Sequence, residues 1–407
     1  MKFLQIALGI LAAIGGFVDI GDLVFATQAG SAFGYQLIWA IILGVIGIAT
    51  YAEMSGRVAT VTGRPVFSVV RQRMGFSLAL LTLVASLFVN LLTLAAETGG
   101  IAIVLNLFFD VSYQALVPVA FVVLAVVIWT LPFERIERIF GYLGLALVVF
   151  LVAAVKLHPN WHSVASGAIP HGHSSALYYY FAVGLMASAL MPYEVYFYSS
   201  GAIEERWKPS KDLGLNRVNA VLGFGLGGIL AIALVMTAAQ VFHPLQIQPD
   251  SLGTAALGPN VALGQTGLLL AMVGMLFAVG GAAIDTCFAG AYTVAQFCGW
   301  EWGKYREARG APRFTLAWIA MLAAGFVIVA TGIDPVMITE YAVVFSVVAL
   351  PFTYVPVLLI ARDKTFMGQY ANGRLSSVLG WAYLIVIAVV AIAAVPLLIV
   401  TNAGSGL

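Results

Sequence analysis

Apolar runs of about twenty residues recur along the whole chain, and short polar stretches separate them. The runs fall at roughly 3–27, 35–54, 76–109, 114–132, 139–157, 175–201, 216–242, 264–297, 313–332, 336–361 and 377–401. Twenty residues of helix rise about 30 Å, the thickness of a bilayer's hydrocarbon core. Lipid admits only helices and closed barrels, and the period-2 alternation of a barrel strand is absent. The pattern therefore predicts an all-α polytopic membrane protein with eleven spanning helices. The longest connections, at 55–75, 158–174, 202–215, 243–263 and 298–312, leave no room for a separate soluble domain, so 1–407 reads as one transmembrane domain.

Composition agrees: 62% of residues are hydrophobic and only 9% charged, against roughly 25% charged in a soluble domain. The net charge of +1 comes with no basic patch, so nucleic acid is not an expected partner; the lipid bilayer is. The first run carries Asp19 and Asp22 and lacks an evident cleavage site, so it reads as a spanning helix rather than a leader. Cys287 and Cys298 share one helix, about 16 Å apart and too far for a disulfide. With the N-terminus placed in the cytoplasm, 18 of the 19 Lys and Arg fall in inside loops, and only Lys156 lies outside. That asymmetry predicts a cytoplasmic N-terminus in a cell (plasma or inner) membrane. An odd number of spans then puts the C-terminus outside.

Two spans carry helix-breaking residues at midplane depth. The first reads Gly15-Gly16-Phe17-Val18-Asp19-Ile20-Gly21-Asp22, and the sixth reads Ala187-Ser188-Ala189-Leu190-Met191-Pro192-Tyr193-Glu194. Glycine costs backbone entropy in a helix, and Pro192 removes a donor. First and sixth are matching members of two five-helix halves, which predicts inverted repeats (about 1–157 and 175–361) with an extra helix at 377–401 and a midplane site. The bland alternative is an ordinary proline kink and a flexible glycine pair.

The ionisable residues inside the runs are Asp19, Asp22, Glu97, Glu194 and Asp285, and no Lys or Arg falls at comparable depth. Five acids without a basic partner must be protonated, hydrated or neutralised by cations. Converging carboxylates and carbonyls make a hard-cation site, and the Met191 thioether favours a transition metal. Each residue also has a structural reading. Asp19 and Asp22 could instead cap a half-helix, Glu97, whose site role is proton or cation relay, could be a protonated packing acid, Glu194 a solvated acid, Asp285 an interhelical hydrogen-bonder and Met191 core. The loop with His158, His162, His171 and His173 reads as solvated, with metal capture the alternative. No nucleotide-binding or zinc-protease motif and no nucleophile–base pair is present, so neither an enzyme nor a resident cofactor is expected.

These residues resemble the Nramp (natural-resistance-associated macrophage protein) family, whose members have a LeuT-like fold and carry Mn²⁺ and Fe²⁺ with protons. The family's Asp-Pro-Gly-Asn motif is similar to Asp19-Ile20-Gly21-Asp22, followed by Gln28-Ala29-Gly30-Ser31-Ala32-Phe33-Gly34-Tyr35. Its Met-Pro-His motif is similar to Met191-Pro192-Tyr193, continuing into Tyr196 and Ser199-Ser200. Val61-Thr62-Gly63-Arg64 through Arg71-Gln72-Arg73, Val104-Leu105-Asn106-Leu107 and Leu350-Pro351-Phe352 extend the likeness from about Gly15 to Pro356. The resemblance implies Asp19, Asp22 and Met191 as metal ligands, with carbonyls near Gly16 and Ser188. It also implies departures. Asp22 stands for the family's Asn, and Tyr193 and Tyr198 stand for two His associated with proton movement. Leu94 stands for an acid, while Glu97 matches one. Asp285 stands for a small hydroxyl residue, and Glu340, about a turn from the place of a lost Gln near Val343, could substitute for it.

The sequence thus predicts a secondary transporter carrying divalent metal cations by alternating access. Mn²⁺ or a similar ion is the first choice and Mg²⁺ the second, with weak or no proton coupling and with import implied by the resemblance. The rival is a cation-coupled symporter of a small organic solute such as an amino acid, whose carboxylate Asp19 and Asp22 would repel.

Overall fold

The computed structural model describes residues 18–109, 111–249 and 251–404. The glycine pair Gly15-Gly16 and most of the first apolar run fall outside them. In order, the helices are α1 (Ile20–Phe33), α2 (Ile38–Thr62), α3 (Val66–Phe109), α4 (Tyr113–Thr130) and α5 (Phe133–Gly144), which a 3-10 turn joins to α6 (Val148–Lys156). There follow α7 (Trp161–Gly167), α8 (Ala176–Ser188), α9 (Pro192–Glu204), α10 (Leu213–Val241), α11 (Leu252–Ala255), α12 (Leu257–Leu263) and α13 (Gln265–Cys298). The last are α14 (Pro312–Ala330), α15 (Pro335–Arg362), α16 (Lys364–Met367) and α17 (Arg374–Val400).

Nine spans among the described residues are long and apolar enough to cross a bilayer, α5 and α6 counting as one. The predicted sixth span is divided into α8 and α9, 13 residues each. With α1 as the described part of the first span, the arrangement matches eleven crossings. Large apolar side chains stand bare on the outer faces, among them Leu316, Leu375 and Ile392. Such a surface suits hydrocarbon, not water.

Helix edges differ from the apolar runs wherever a helix continues into polar sequence. Of the expected loop 55–75, only Gly63, Arg64 and Pro65 are non-helical. The helix α5 begins at Phe133 rather than near 139, because its first turns carry Glu134, Arg135, Glu137 and Arg138 and escape an apolarity reading. A bend at Gly75, with φ 82° and ψ 175°, divides α3. Residues with a Cβ avoid that backbone, so glycine there sets where the polar Arg71-Gln72-Arg73 segment turns into the span.

Around the breaks, α3 packs on α13 and α15, and α10 packs on α1 and α2. The end of the molecule that holds most Lys and Arg, called the basic end below, is tied by a buried arginine. Arg57 is 5% exposed. Its Nε and Nη2 donate to the two oxygens of Glu53 at 2.9 and 3.0 Å. Its Nη1 donates to Tyr370 O at 2.7 Å, and Nη2 also donates to Asn372 Oδ1 at 2.6 Å. The guanidinium thus joins α2 to the segment before α17. Removing one partner of a buried pair costs roughly 3–5 kcal/mol. Arg57→Ala is therefore expected to lower the thermal unfolding midpoint of the detergent-solubilised protein, while exposed Arg64→Ala leaves it nearly unchanged. Equal midpoints for the two variants would remove Arg57 as a structural tie.

Candidate functional site

The break in the sixth span is marked by one residue. A helical carbonyl is satisfied by the N–H four positions on. For Ser188 that position is Pro192, which has no N–H. So α8 ends at Ser188, Met191 takes extended backbone at φ −63° and ψ 132°, and Pro192 opens α9 as its first residue, where no N–H is needed. Of the opposing first span, the described residues show the start of α1. Asp19 is extended at φ −93° and ψ −177° and caps α1, its Oδ1 accepting from the Asp22 N–H at 3.0 Å.

The sixth-span break and the start of α1 meet at Gly21. A Cβ added there would lie 2.9 Å from Asp19 Oδ1, 3.1 Å from Val343 Cγ2 and 3.4 Å from Ser188 Cβ. The start of α1, the end of α8 and the middle of α15 thus touch at a residue without a side chain. The Ser188 hydroxyl, which donates to Leu185 O at 3.2 Å, also lies beside the Asp22 carboxyl. Asp19, Asp22, Ser188 and Met191 are 4%, 7%, 2% and 1% exposed, so the whole group is interior. The cap reading of Asp19 and its place at the meeting point hold together, since a cap uses one carboxylate oxygen and leaves the other. The Gly16 carbonyl lies outside the described residues.

The other acids surround this point. Glu97 on α3 is fully buried; its Oε1 accepts from the Thr286 hydroxyl at 3.3 Å, and its Oε2 has no protein partner. One turn further along α3, Gly100 packs against Ile20 at the start of α1. Glu194, in the first turn of α9, lies within electrostatic reach of Asp19, Asp22, Asp285 and Glu97, and its Oε2 also lacks a protein partner. Tyr193 is buried beside Thr286 and faces Asp19, Glu194 and Glu97.

Three residues stand apart. Tyr198 lies toward the basic end, its hydroxyl donating to Asn216 O at 2.9 Å. Glu340 sits a turn from Val343, accepts from Gln28 Nε2 at 3.2 Å and lines a cavity of about 310 Å³ with Ser31, Asp334 and the tail Asn402, Ala403 and Gly404. Val343, not Glu340, faces Gly21. Asp285 corrects the expectation that all five acids lack a basic partner. It is half-buried, and the Lys304 ammonium lies within its electrostatic reach because the loop after α13 folds back toward it. None of the four salt bridges among the described residues involves Asp19, Asp22, Glu97 or Glu194.

Among the described residues, no three His, Cys, Asp or Glu gather as a metal-holding group. His173 is instead stacked on Tyr178, with centroids 4.8 Å apart, and its Nδ1 accepts from the Ser175 N–H at 3.0 Å. What the structure brings together is the Asp19 and Asp22 carboxylates and Ser188, with Met191 buried at the start of α9. Such donors suit a cation that sheds part of its water.

Comparison with known proteins follows the same lines. A family model described as natural resistance-associated macrophage protein-like matches residues 9–396, further at both ends than the motifs reach. The divalent metal cation transporter MntH of Deinococcus radiodurans is 27% identical over 393 residues, covering 93% of this chain and 86% of that protein. MntH of Staphylococcus aureus is 23% identical over 414 residues, covering 95% and 90%. A manganese transporter of Eremococcus coleocola superposes with a TM-score of 0.78 at 20% identity, over 94% of this chain and 84% of that one. A nucleobase-cation-symport-1 family transporter superposes at 0.57 and 15% identity, over 98% and 95%. The structural likenesses carry the fold: polytopic, all-helical, LeuT-like and broken in the sixth span. With a family model spanning nearly its whole length, the chain belongs to the Nramp family of membrane transporters and is not an enzyme.

Proposed function

We propose that this protein moves divalent metal cations across a membrane by alternating access, holding the ion where the two broken helices meet. The observation that carries this reading is the contact of Asp19, Ser188 and Val343 around Gly21, at two helix ends with freed backbone groups. Asp19, Asp22 and Met191 are assigned as side-chain ligands, and the Ser188 and Gly16 carbonyls as backbone ligands. The relatives named as divalent metal cation transporters and as a manganese transporter support this cargo class. Mn²⁺ is the first assignment because of Met191, and Mg²⁺ the second. Residues 1–157 and 175–361 are assigned as inverted halves, with α17 an addition. The basic end faces the cytoplasm, the cavity beside Glu340 faces outward, and transport is import.

Proton coupling is weak or absent in this reading. Histidine exchanges protons near neutral pH, but Tyr193 and Tyr198 occupy the places that the family resemblance gives to His. Phenols ordinarily titrate near 10. Glu97 remains as the matched relay acid. Entry is then driven by the ion gradient and the membrane potential, worth roughly 4.6 kcal/mol for two charges at 100 mV.

Three outcomes are expected. Asp19→Ala abolishes Mn²⁺ uptake into proteoliposomes while the protein still elutes as a folded species; near-normal uptake would sink the site assignment. Met191→Ala weakens Cd²⁺ binding by calorimetry more than Mg²⁺ binding, since a thioether prefers the softer ion; equal losses would make Met191 a packing residue. In liposomes with a clamped potential and an internal pH dye, metal uptake proceeds with little acidification. Metal-dependent acidification that disappears in Glu97→Gln would overturn the weak-coupling claim.

A further inference from the structure

One cation is built into the basic end. Lys304 lies in the loop after α13, its Nζ 4.2 Å from the Phe133 ring centroid and 5.3 Å from those of Phe197 and Tyr305. The three rings come from the start of α5, from α9 and from the loop itself. Electron-rich ring faces attract an ammonium within about 6 Å. The same residue is held by its backbone. The Lys304 N–H lies 2.7 Å from Glu204 Oε1 and 3.1 Å from the Tyr292 hydroxyl, and that hydroxyl donates to Glu204 Oε2 at 2.8 Å. Glu204 ends α9, the second half of the broken helix, and Tyr292 belongs to α13.

The loop is shaped for this approach. Gly303 has φ 150°, and a Cβ there would lie 2.9 Å from Glu204 Oε1. A side chain would strain this backbone and displace the Glu204 carboxylate from the loop. Burial works against the Lys304 ammonium, but Glu137, Tyr305, Glu204 and Glu205 outweigh it and raise its pKa above the ordinary lysine value. The side chain is a permanent cation at neutral pH, with Asp285 also in its reach. It sits among carboxylates at the opposite end of the molecule from the cavity beside Glu340.

Building on the transport reading above, we propose that Lys304 is a tethered cation that closes the basic end of the pathway, tying α9 to α5 and α13 until it is displaced. Alternating access requires one helix group to move against another, and the Lys304 cage and the Glu204 contacts bridge three of the elements concerned. A divalent ion leaving past Asp285 meets the ammonium as a competitor for the same carboxylates, so the cargo itself favours release of the tie. Lys304 acts through the position of α9 and is a positioning residue.

The test measures that position without using transport, so its failure would leave the cargo assignment standing. Spin labels on Arg138→Cys at α5 and Lys208→Cys beyond α9, in a Cys298→Ser background, report their separation by double electron–electron resonance in metal-free protein. Lys304→Met keeps the length and removes the charge; it is expected to add a longer-distance population that is minor in the parent, and Lys304→Arg to restore the parent distribution. If Lys304→Met does not fold, Phe133→Leu removes the nearest ring and is expected to add the same population. A distribution unchanged by neutralising Lys304 or by removing the Phe133 ring, or a longer population that Lys304→Arg fails to reverse, would overturn the proposal.

Discussion

The carbonyl of Ser188 has no helical partner, because the residue four positions on is Pro192. In hydrocarbon an unpaired backbone group costs several kcal/mol, so this single mismatch governs what can surround it. Here the helix stops at Ser188 and a second starts at Pro192, whereas α15 runs on through Pro351 and Pro356, and the freed backbone of the break must face protein or a bound solute instead of lipid. The start of α1 and the middle of α15 meet that demand at Gly21. Around that point α10 packs on α1, and α3 packs on α15.

Here the charges divide into two kinds. Asp19, Asp22, Glu97 and Glu194 form no salt bridge among the described residues, so their compensation must be mobile: protons, water or ions. Asp285, Glu137, Glu204 and Glu205 also form none, but they lie within electrostatic reach of the Lys304 ammonium. Toward the middle the molecule keeps its acids in need of cations, and toward the basic end it supplies one of its own.

Much of this was legible in the sequence. The apolar runs located the spans because hydrocarbon tolerates little else, and Met191-Pro192 marked the break because proline cannot donate. The edges were less legible. Polar first turns such as Glu134-Arg135 belong to helices that outrun the membrane, and apolarity does not register them. The pairing of Asp285 with Lys304 was hidden for a different reason: nineteen positions and a chain reversal separate the two residues, and only tertiary folding brings the loop back. Of the three rings around Lys304 only Tyr305 is near it in sequence; Phe133 and Phe197 are brought in by folding. Which way Glu340 turns was not legible: it lines the cavity, a helical turn from Val343, which faces Gly21.

The tail residues Asn402, Ala403 and Gly404 line the cavity beside Glu340. A fluorescent protein or affinity handle fused after them starts from the cavity rim and shares its space with any solute approaching Asp334. Labelled preparations of that design would then report hindered access as if it were weak affinity. The exposed thiol of Cys298, at the far end of the molecule, offers an anchor for a probe that leaves the rim clear.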